Sequence, residues 1–300
     1  MSYSNKLNAF MNGTGSLAFD CITKRDDFVK DLTDRHKVPS LINQDKTPLC
    51  GPAAFMYCIA RENPDVYGEY VLDLAMTGEG RIGNLTVTVG RDCRKAELNP
   101  NGEEIAPVDW VALASLRDAS NKVLDMESPG SKAAGITSSG TLAGWFRKTG
   151  WFKSGVIDTG NTFFTEDLKN LLEINLYQSG AYICMLLKDA IIQPTKDPGI
   201  NKIGKKNAPK SPWNGPTHWI VLGDNNPALG TGCLNKGIRI TVPGRPAEYP
   251  FSPGDKALLE GDLYFKAYSW GKITEVTVRY ADLTVEQFLR YYYGYVIAAK

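Results

Sequence analysis

Cys50 lies in the segment Gln44-Asp-Lys-Thr-Pro-Leu-Cys50-Gly-Pro-Ala-Ala-Phe-Met-Tyr, and its position there makes it a candidate for a reactive thiol. Pro48 ends an irregular stretch, whereas Pro52 falls in a first helical turn, where its missing N–H would have no partner anyway. Cys50 is therefore predicted at a helix N-terminus, where the helix dipole and the N–H groups favour a thiolate. From these residues alone, a nucleophile and a structural core thiol are equally good interpretations.

A thiol nucleophile needs a base, and the chain has only two histidines. His36 lies in the charged stretch Thr-Asp-Arg-His-Lys-Val-Pro and is predicted to be a solvated surface residue. His218 opens the apolar segment His-Trp-Ile-Val-Leu directly after a long loop, where a sheet can hold an imidazole at a cleft rim. His218 is the candidate base, and the alternative is a structural histidine at a strand end.

The elements that must position these residues differ between the two halves of the chain. In the first half, apolar residues recur every three or four positions and predict helices at residues 50–61, 64–76, 109–117 and 141–148, with one alternating strand at 85–89. A further helix is predicted at 166–178, with Thr165 as its N-cap. Strands follow at 182–187, 219–222, 238–242, 263–268 and 276–280, then a short helix at 284–291 and a final strand from Tyr293.

This order predicts an α+β fold in a single domain over residues 1–300, with a mainly helical lobe to about residue 180 and a mainly β lobe from about 181. Between two of the strands, residues 188–217 hold five prolines, six lysines and two aspartates, a local charge of +4. Such a long loop is either a mobile solvated segment or a lid that contacts substrate, and its charge suggests an acidic partner.

Composition excludes several classes of function. The 34 basic and 33 acidic residues give no general attraction to nucleic acid. The longest apolar run, Ala181 to Leu187, is far shorter than the roughly 18 residues that a membrane span needs. The first residues show no export signal, and the six cysteines form no C-x-x-C pair. We therefore expect no nucleic-acid partner, no membrane insertion, and a protein that is cytoplasmic or secreted without a signal peptide.

In order along the chain, these motifs resemble those of the papain-like cysteine peptidases. The family has a glutamine six residues before a cysteine that opens a central helix, as Gln44 stands before Cys50. It has a histidine at the start of a strand in the second lobe, as His218 is predicted to be. Its later Asn-Ser-Trp-Gly motif is matched at three of four positions by Tyr-Ser269-Trp270-Gly. The Cys-Gly-Pro-Ala-Ala sequence is closer to bacterial members, such as the peptidases that trim bacteriocin leaders.

The resemblance implies a papain-like fold, with a helical lobe that carries the nucleophile helix packed on an antiparallel β-sheet lobe. It implies hydrolysis of a peptide or isopeptide bond in a protein or peptide substrate, without a metal or organic cofactor. Cys50 would be the nucleophile and His218 the base. Gln44 and the Cys50 backbone N–H would complete the oxyanion hole.

One position departs from the family, because Tyr268 stands where the third catalytic residue, an asparagine or aspartate, would be. Asp224 is six residues from His218, about 20 Å along an extended strand. Asp262 begins the strand that ends at Ser269, so antiparallel pairing would place the aspartate far from the histidine and the serine near it. Ser269 and a bare Cys-His dyad are the two preferred interpretations. Trp270 either shields the histidine contact from water or is ordinary core packing.

Three other functions remain open from the residues. A glutamine deamidase or transglutaminase-like enzyme and a peptidoglycan amidase need the same dyad. A catalytically inactive binding module on a papain-like scaffold is suggested by Tyr268. In biology, the chain is compatible with a bacterial toxin or effector that an inhibitory partner protein holds in check, and equally with a housekeeping intracellular enzyme.

Overall fold

The computed structural model describes residues 2–98, 105–120, 137–161, 163–177, 180–188, 193–194, 201–202, 218–223, 238–242, 244, 255–277 and 284–300. These residues form a mixed α+β fold in which the strand pairings are antiparallel. The chain divides into two compact units. The first comprises Met1–Thr137 and Gly144–Trp151, and the second comprises Ser138–Ala143 and Phe152–Lys300.

The first unit is mainly helical. Its elements are α1 (Tyr3–Asn12), α2 (Arg25–Lys37), a 3-10 turn (Pro39–Leu41), α3 (Cys50–Glu62), α4 (Pro64–Thr77), the hairpin of β1 (Glu79–Ile82) and β2 (Leu85–Thr88), α5 (Arg91–Arg94), α6 (Pro107–Asp109), a π turn (Trp110–Ala114) and α7 (Ser115–Asp118). Helix α8 (Ser139–Thr149) contributes its later residues to this unit. Among the described residues, no helix combines the length and the apolar character needed to cross a membrane.

Helix α3 is the centre of the first unit. All residues from Cys50 to Ala60 are buried, so the helix predicted at 50–61 is covered on nearly all sides. Phe55 packs its ring against Trp145 and Phe146 of α8, with ring centroids 5.7 and 5.0 Å apart. The start of α3 is therefore fixed by packing along the whole helix.

The second unit is built on a sheet. Its elements are β3 (Gly155–Asp158), α9 (Leu168–Glu173), a 3-10 turn (Ile174–Tyr177), β4 (Ala181–Leu187), β5 (Gln193–Pro194), β6 (Asn201–Lys202), β7 (His218–Leu222), β8 (Arg239–Thr241), a 3-10 turn (Lys256–Glu260), β9 (Asp262–Ser269), β10 (Lys272–Thr277), α10 (Val285–Leu289) and β11 (Tyr292–Ala299). The main sheet has the order β10-β9-β7-β4-β11-β3, with β8 also paired to β9, and β5 and β6 pair separately.

Strand β7 lies in the interior of this sheet, between β4 and β9, and all five of its residues are buried. Its register sets Leu187 of β4 opposite His218, and Val221 opposite Tyr268 of β9. Apolar residues of one sheet face, among them Ile220, Leu222, Phe265 and Ala267, share a core with α9 and α10. His218 thus opens a strand that is held on both edges.

The boundary between the units falls near residue 150, earlier than the predicted residue 180. The reason is that β3 pairs with β11 near the end of the chain, a long-range contact that local patterns do not reveal. The predicted helix 166–178 is also shorter. Glu166 donates its N–H to Tyr292 O of β11, so α9 begins only at Leu168, with Asp167 rather than Thr165 as N-cap.

One further prediction agrees with the structure only in part, and two others fall partly outside the described residues. The predicted helix 109–117 is interrupted by the π turn Trp110–Ala114. The predicted loop 188–217 lies outside the described residues except for Lys188 and the short strands β5 and β6, and residues 278–280 of the predicted strand 276–280 lie outside them as well.

Candidate functional site

Cys50 is the first residue of α3, as the sequence predicts, and its side chain is buried. The N-cap residue, Leu49, has no polar side chain to accept from the first helical N–H groups, and Pro52 has no N–H. The partial positive charge of the helix start is thus directed to the region of the thiol and is not neutralised by a capping side chain. This arrangement favours a negative charge on sulfur or on an oxygen bound there.

Gly51 permits a close approach directly beside the thiol. A Cβ atom added at this position would lie 2.4 Å from Cβ of Thr137, nearer than two such atoms can approach. Thr137 is itself buried. The glycine therefore lets the threonine pack against the first turn of the helix, which fixes the surroundings of Cys50.

Gln44 is held by a tight turn six residues before Cys50. Thr47 donates its N–H and its hydroxyl to Gln44 O, at 3.1 and 2.5 Å, and Gln44 Nε2 donates to Thr47 O at 3.1 Å. Asp45, inside the turn, has a φ of 50°, a left-handed conformation that aspartate tolerates better than most residues. A side-chain amide has a second N–H, so the orientation of this buried glutamine leaves it one further donor.

Arg117, near the end of α7, is a component of the site that the sequence analysis missed. Burial lowers the pKa of its guanidinium, and the electrostatic interaction with Cys50 acts in the opposite direction. Arg117 therefore contributes positive charge to the surroundings of the thiol. The signal in the sequence was a lone cation that follows the apolar run Trp-Val-Ala-Leu-Ala-Ser-Leu.

In the second unit, His218 is hydrogen-bonded to Ser269. Its Nε2 lies 2.7 Å from Ser269 Oγ, and both side chains are 2% exposed. Because neighbouring side chains in a strand point to opposite faces, Ser269 shares its face with Ala267, and Tyr268 points to the other face. Tyr268 therefore does not take the place of the family's third residue.

Trp270 covers the histidine on one side. The indole and imidazole rings stack with centroids 3.9 Å apart and an interplanar angle of 13°. Trp270 and Gly271 form the two-residue turn between β9 and β10, with φ values of 47° and 67°. Such turns favour asparagine or glycine at both positions, so the tryptophan holds a strained backbone conformation that places its ring on His218.

The protonation of His218 follows from its burial. Desolvation of the charged form lowers the pKa of the imidazole from 6.5 to about 3, so the ring is neutral at pH 7. A neutral imidazole whose Nε2–H donates to Ser269 Oγ keeps a lone pair on Nδ1. In that tautomer the ring is ready to accept a proton.

The remaining candidates from the sequence are two aspartates and the second histidine. Asp262 lies at the opposite end of β9 from Ser269, and Asp224 lies outside the described residues. His36 lies at the surface as predicted, with its side chain 22% exposed, but it is not freely solvated, because its ring stacks on Tyr3 at 4.4 Å and its Nε2 lies 2.7 Å from Asp65 Oδ1. Packing of α1 beside α2 places Tyr3 against one face of this ring.

Gln44, Cys50 and Arg117 thus belong to the first unit, and His218, Ser269 and Trp270 belong to the second. Of the other cysteines, Cys58, Cys93 and Cys184 are buried and Cys21 is partly buried, while Cys233 lies outside the described residues. Within the described part of the chain, no group of three or more His, Cys, Asp or Glu side chains is arranged to hold a metal ion.

Comparisons of this chain with protein-family models, with curated proteins and with solved structures found no match.

Proposed function

We propose that this protein is a papain-like, cysteine-dependent hydrolase that cleaves peptide or isopeptide bonds, with Cys50 as nucleophile and His218 as base. The observation that carries the proposal is the contact of His218 with Ser269. A buried imidazole at the start of an interior strand has one nitrogen bonded at 2.7 Å and one face covered by Trp270. This fixed orientation is what a general base requires.

The chemical steps follow from the roles of these groups. Nδ1 of His218 accepts the proton of the Cys50 thiol as the sulfur attacks the acyl carbon of the substrate. The resulting oxyanion accepts hydrogen bonds from the Gln44 side-chain amide and the Cys50 backbone N–H. His218 then gives the proton to the leaving amine, and a thioester remains on Cys50. Water attacks this thioester, its proton passes through His218 to the sulfur, and the carboxylic acid is released.

Electrostatics supports a neutral resting pair rather than a thiolate–imidazolium pair. Burial opposes a charged His218, as its lowered pKa of about 3 indicates. The positive charge near sulfur is supplied instead by Arg117 and by the start of α3. Both favour the thiolate at the moment when the proton leaves, because neither charge depends on protonation of the histidine.

The first test is the rate of alkylation of each cysteine by iodoacetamide against pH, read by peptide mass spectrometry. Cys21 is the internal control, because it is only partly buried and yet burial raises its pKa to about 12. We expect Cys50 to react at least roughly tenfold faster than Cys21 at pH 7, and His218→Ala to lower the rate of Cys50 by about tenfold or more while the rate of Cys21 stays unchanged. Equal, slow reaction of the two thiols would overturn the proposal.

A second test measures whether the Cys50 thiol and the His218 imidazole lie close together in the folded protein. 1,3-Dibromoacetone carries two reactive carbons and can bridge a thiol and an imidazole only when both lie within a few ångströms. We expect a Cys50–His218 crosslink in the native protein and none after unfolding in urea. Capture of Cys50 with a different partner would exclude His218 as the base.

Peptide libraries and intact proteins then identify the reaction. We expect fragmentation of the substrate, with loss of activity in Cys50→Ala. A mass increase of about 1 Da without fragmentation would instead identify a deamidase, and activity that survives in Cys50→Ala would exclude the thiol mechanism.

A further inference from the structure

A polar cavity of about 450 Å³ lies in the first unit, and nothing in the proposed acyl chemistry uses it. It is formed by the loop after α1, the end of α4 and the short helix α5. The polar side chains that line it are those of Ser16, Asp20, Thr77, Arg91, Arg94 and Lys95. A volume of this size is within the range of small-molecule sites in proteins.

The charge of this cavity is unbalanced. Three cations, Arg91, Arg94 and Lys95, line it together with one carboxylate, Asp20, which leaves a charge of +2. None of the three cations forms an ion pair within the described part of the chain. A phosphate group carries about −1.5 to −2 charges at pH 7 and would balance this excess.

Arg94 has an unsatisfied donor. Its Nε is buried and has no hydrogen-bond partner among the described residues. Its side chain passes close to the backbone of Gly78, since a Cβ added at this glycine would lie 3.2 Å from Arg94 Cδ. Its backbone is held as well, since Arg94 O accepts from Asp20 N at 3.0 Å. Arg94 therefore brings to the wall of the cavity a guanidinium whose hydrogen-bonding capacity is not fully used among the described residues.

Hydrogen bonds connect the loop after α1, which forms one wall of the cavity, to the neighbouring segments. Ala18 N donates to Ala75 O of α4 at 2.8 Å, which ties the loop to the end of that helix. Arg25 donates to Phe10 O and Gly15 O, at 2.7 Å each, and so fixes the start of the same loop. Because the cavity is formed before any ligand arrives, little conformational entropy is lost on binding.

We propose that this cavity binds the phosphate group of an anionic ligand, either a free phosphate compound or a lipid headgroup. Arginine guanidinium groups bind phosphate through paired N–H donors, and lysine adds a point charge. Arg94 supplies the guanidinium fork. Arg91 and Lys95 complete the charge, and the Ser16 hydroxyl adds a neutral donor.

The experiment is a calorimetric titration of the full chain with pyrophosphate at low ionic strength. The double variant Arg91→Gln/Lys95→Gln removes two exposed cations of the cavity, and Arg94→Lys keeps the charge but removes the fork. The matched control is Lys24→Gln/Lys30→Gln, which removes two cations of α2 and its N-cap, each 75% exposed and outside the cavity. Thermal unfolding of each variant without ligand verifies the fold.

We expect each cavity variant to weaken pyrophosphate binding by roughly tenfold or more, and the control by less than about twofold. If the control variant weakened pyrophosphate binding equally, the binding would depend only on the net charge of the protein, and the proposal would be overturned. Sedimentation with phosphatidylcholine vesicles, with and without a phosphoinositide, distinguishes the two sources. Binding to phosphoinositide vesicles that the cavity variants lose supports a headgroup. Absence of binding to both probes would overturn the proposal.

Discussion

The hydroxyl of Ser269 lies 2.7 Å from Nε2 of His218, although 51 residues separate the two in the chain. The antiparallel register of β7 and β9, with Val221 opposite Tyr268, brings the end of one strand to the start of the other. A serine hydroxyl can both donate and accept a hydrogen bond, so it can follow the imidazole through gain and loss of a proton. In the proposed mechanism, Ser269 therefore orients the base from a position one residue after the family's third catalytic residue.

Removal of this hydroxyl is predicted to slow the chemistry of Cys50. We expect Ser269→Ala to lower the alkylation rate of Cys50 at pH 7 by about 10- to 100-fold, because a lost buried hydrogen bond is worth about 1–3 kcal/mol. Ser269→Thr keeps the hydroxyl and should retain most of the rate. The matched control is Ser115→Ala, since Ser115 Oγ is buried and has no hydrogen-bond partner among the residues that the structure describes. A rate unchanged in Ser269→Ala would show that the contact does not serve the reaction.

Trp270 is predicted to matter for reactivity more than for stability. In Trp270→Asn, relief of the left-handed backbone, worth about 1 kcal/mol, should offset much of the lost packing of this partly exposed ring. The midpoint of urea unfolding should thus change little, while the alkylation rate of Cys50 falls because His218 loses its stacked neighbour. If the rate persisted in the asparagine variant, the ring would be a packing element only.

The buried His218 is predicted to make the protein less stable in acid. Its folded pKa of about 3 lies below the unfolded value near 6.5, so the unfolded chain binds an extra proton between these pH values. The contribution of the neutral His218 to the free energy of unfolding is complete above pH 6.5. It is lost as the pH falls towards 3, at about 1.4 kcal/mol per pH unit. Unfolding free energies of the native chain and of His218→Gln, measured from pH 4 to 7, should differ in slope by one proton. Parallel curves would contradict a neutral buried ring.

Arg117 is predicted to set the pH at which Cys50 reacts. In Arg117→Met the thiolate loses a nearby cation, so the half-maximal pH of alkylation should rise by about one unit. Arg117→Lys should restore most of the shift. Arg61→Met is the matched control, because Arg61 lies in the last turn of α3, at the end opposite Cys50. The prediction fails if the two methionine variants give the same profile.

Much of the local structure was predictable from the sequence. The apolar pattern and Pro52 placed the start of α3 at Cys50, and asparagine followed by proline marks the start of α4, where Asn63 accepts from Val66 N. These features depend on residues within one or two helical turns, and their signals are therefore local. The weakly apolar helices α1 and α2 were missed because few of their residues are buried, such as Phe10 and Leu32.

The surroundings of the two candidate groups depend on long-range contacts. Local patterns placed His218 at a strand start, but only the pairing of β7 with β9 decided that Ser269 bonds it and that Tyr268 faces away. The approach of Arg117 to Cys50 likewise depends on helix packing between segments 67 residues apart in sequence, because side-chain proximity of that kind leaves no periodic signal. The sequence by itself determined which residues are candidates for the proposed chemistry and on which elements they lie. Tertiary structure decided their hydrogen bonds, burial and charge, because these depend on residues that only folding brings together.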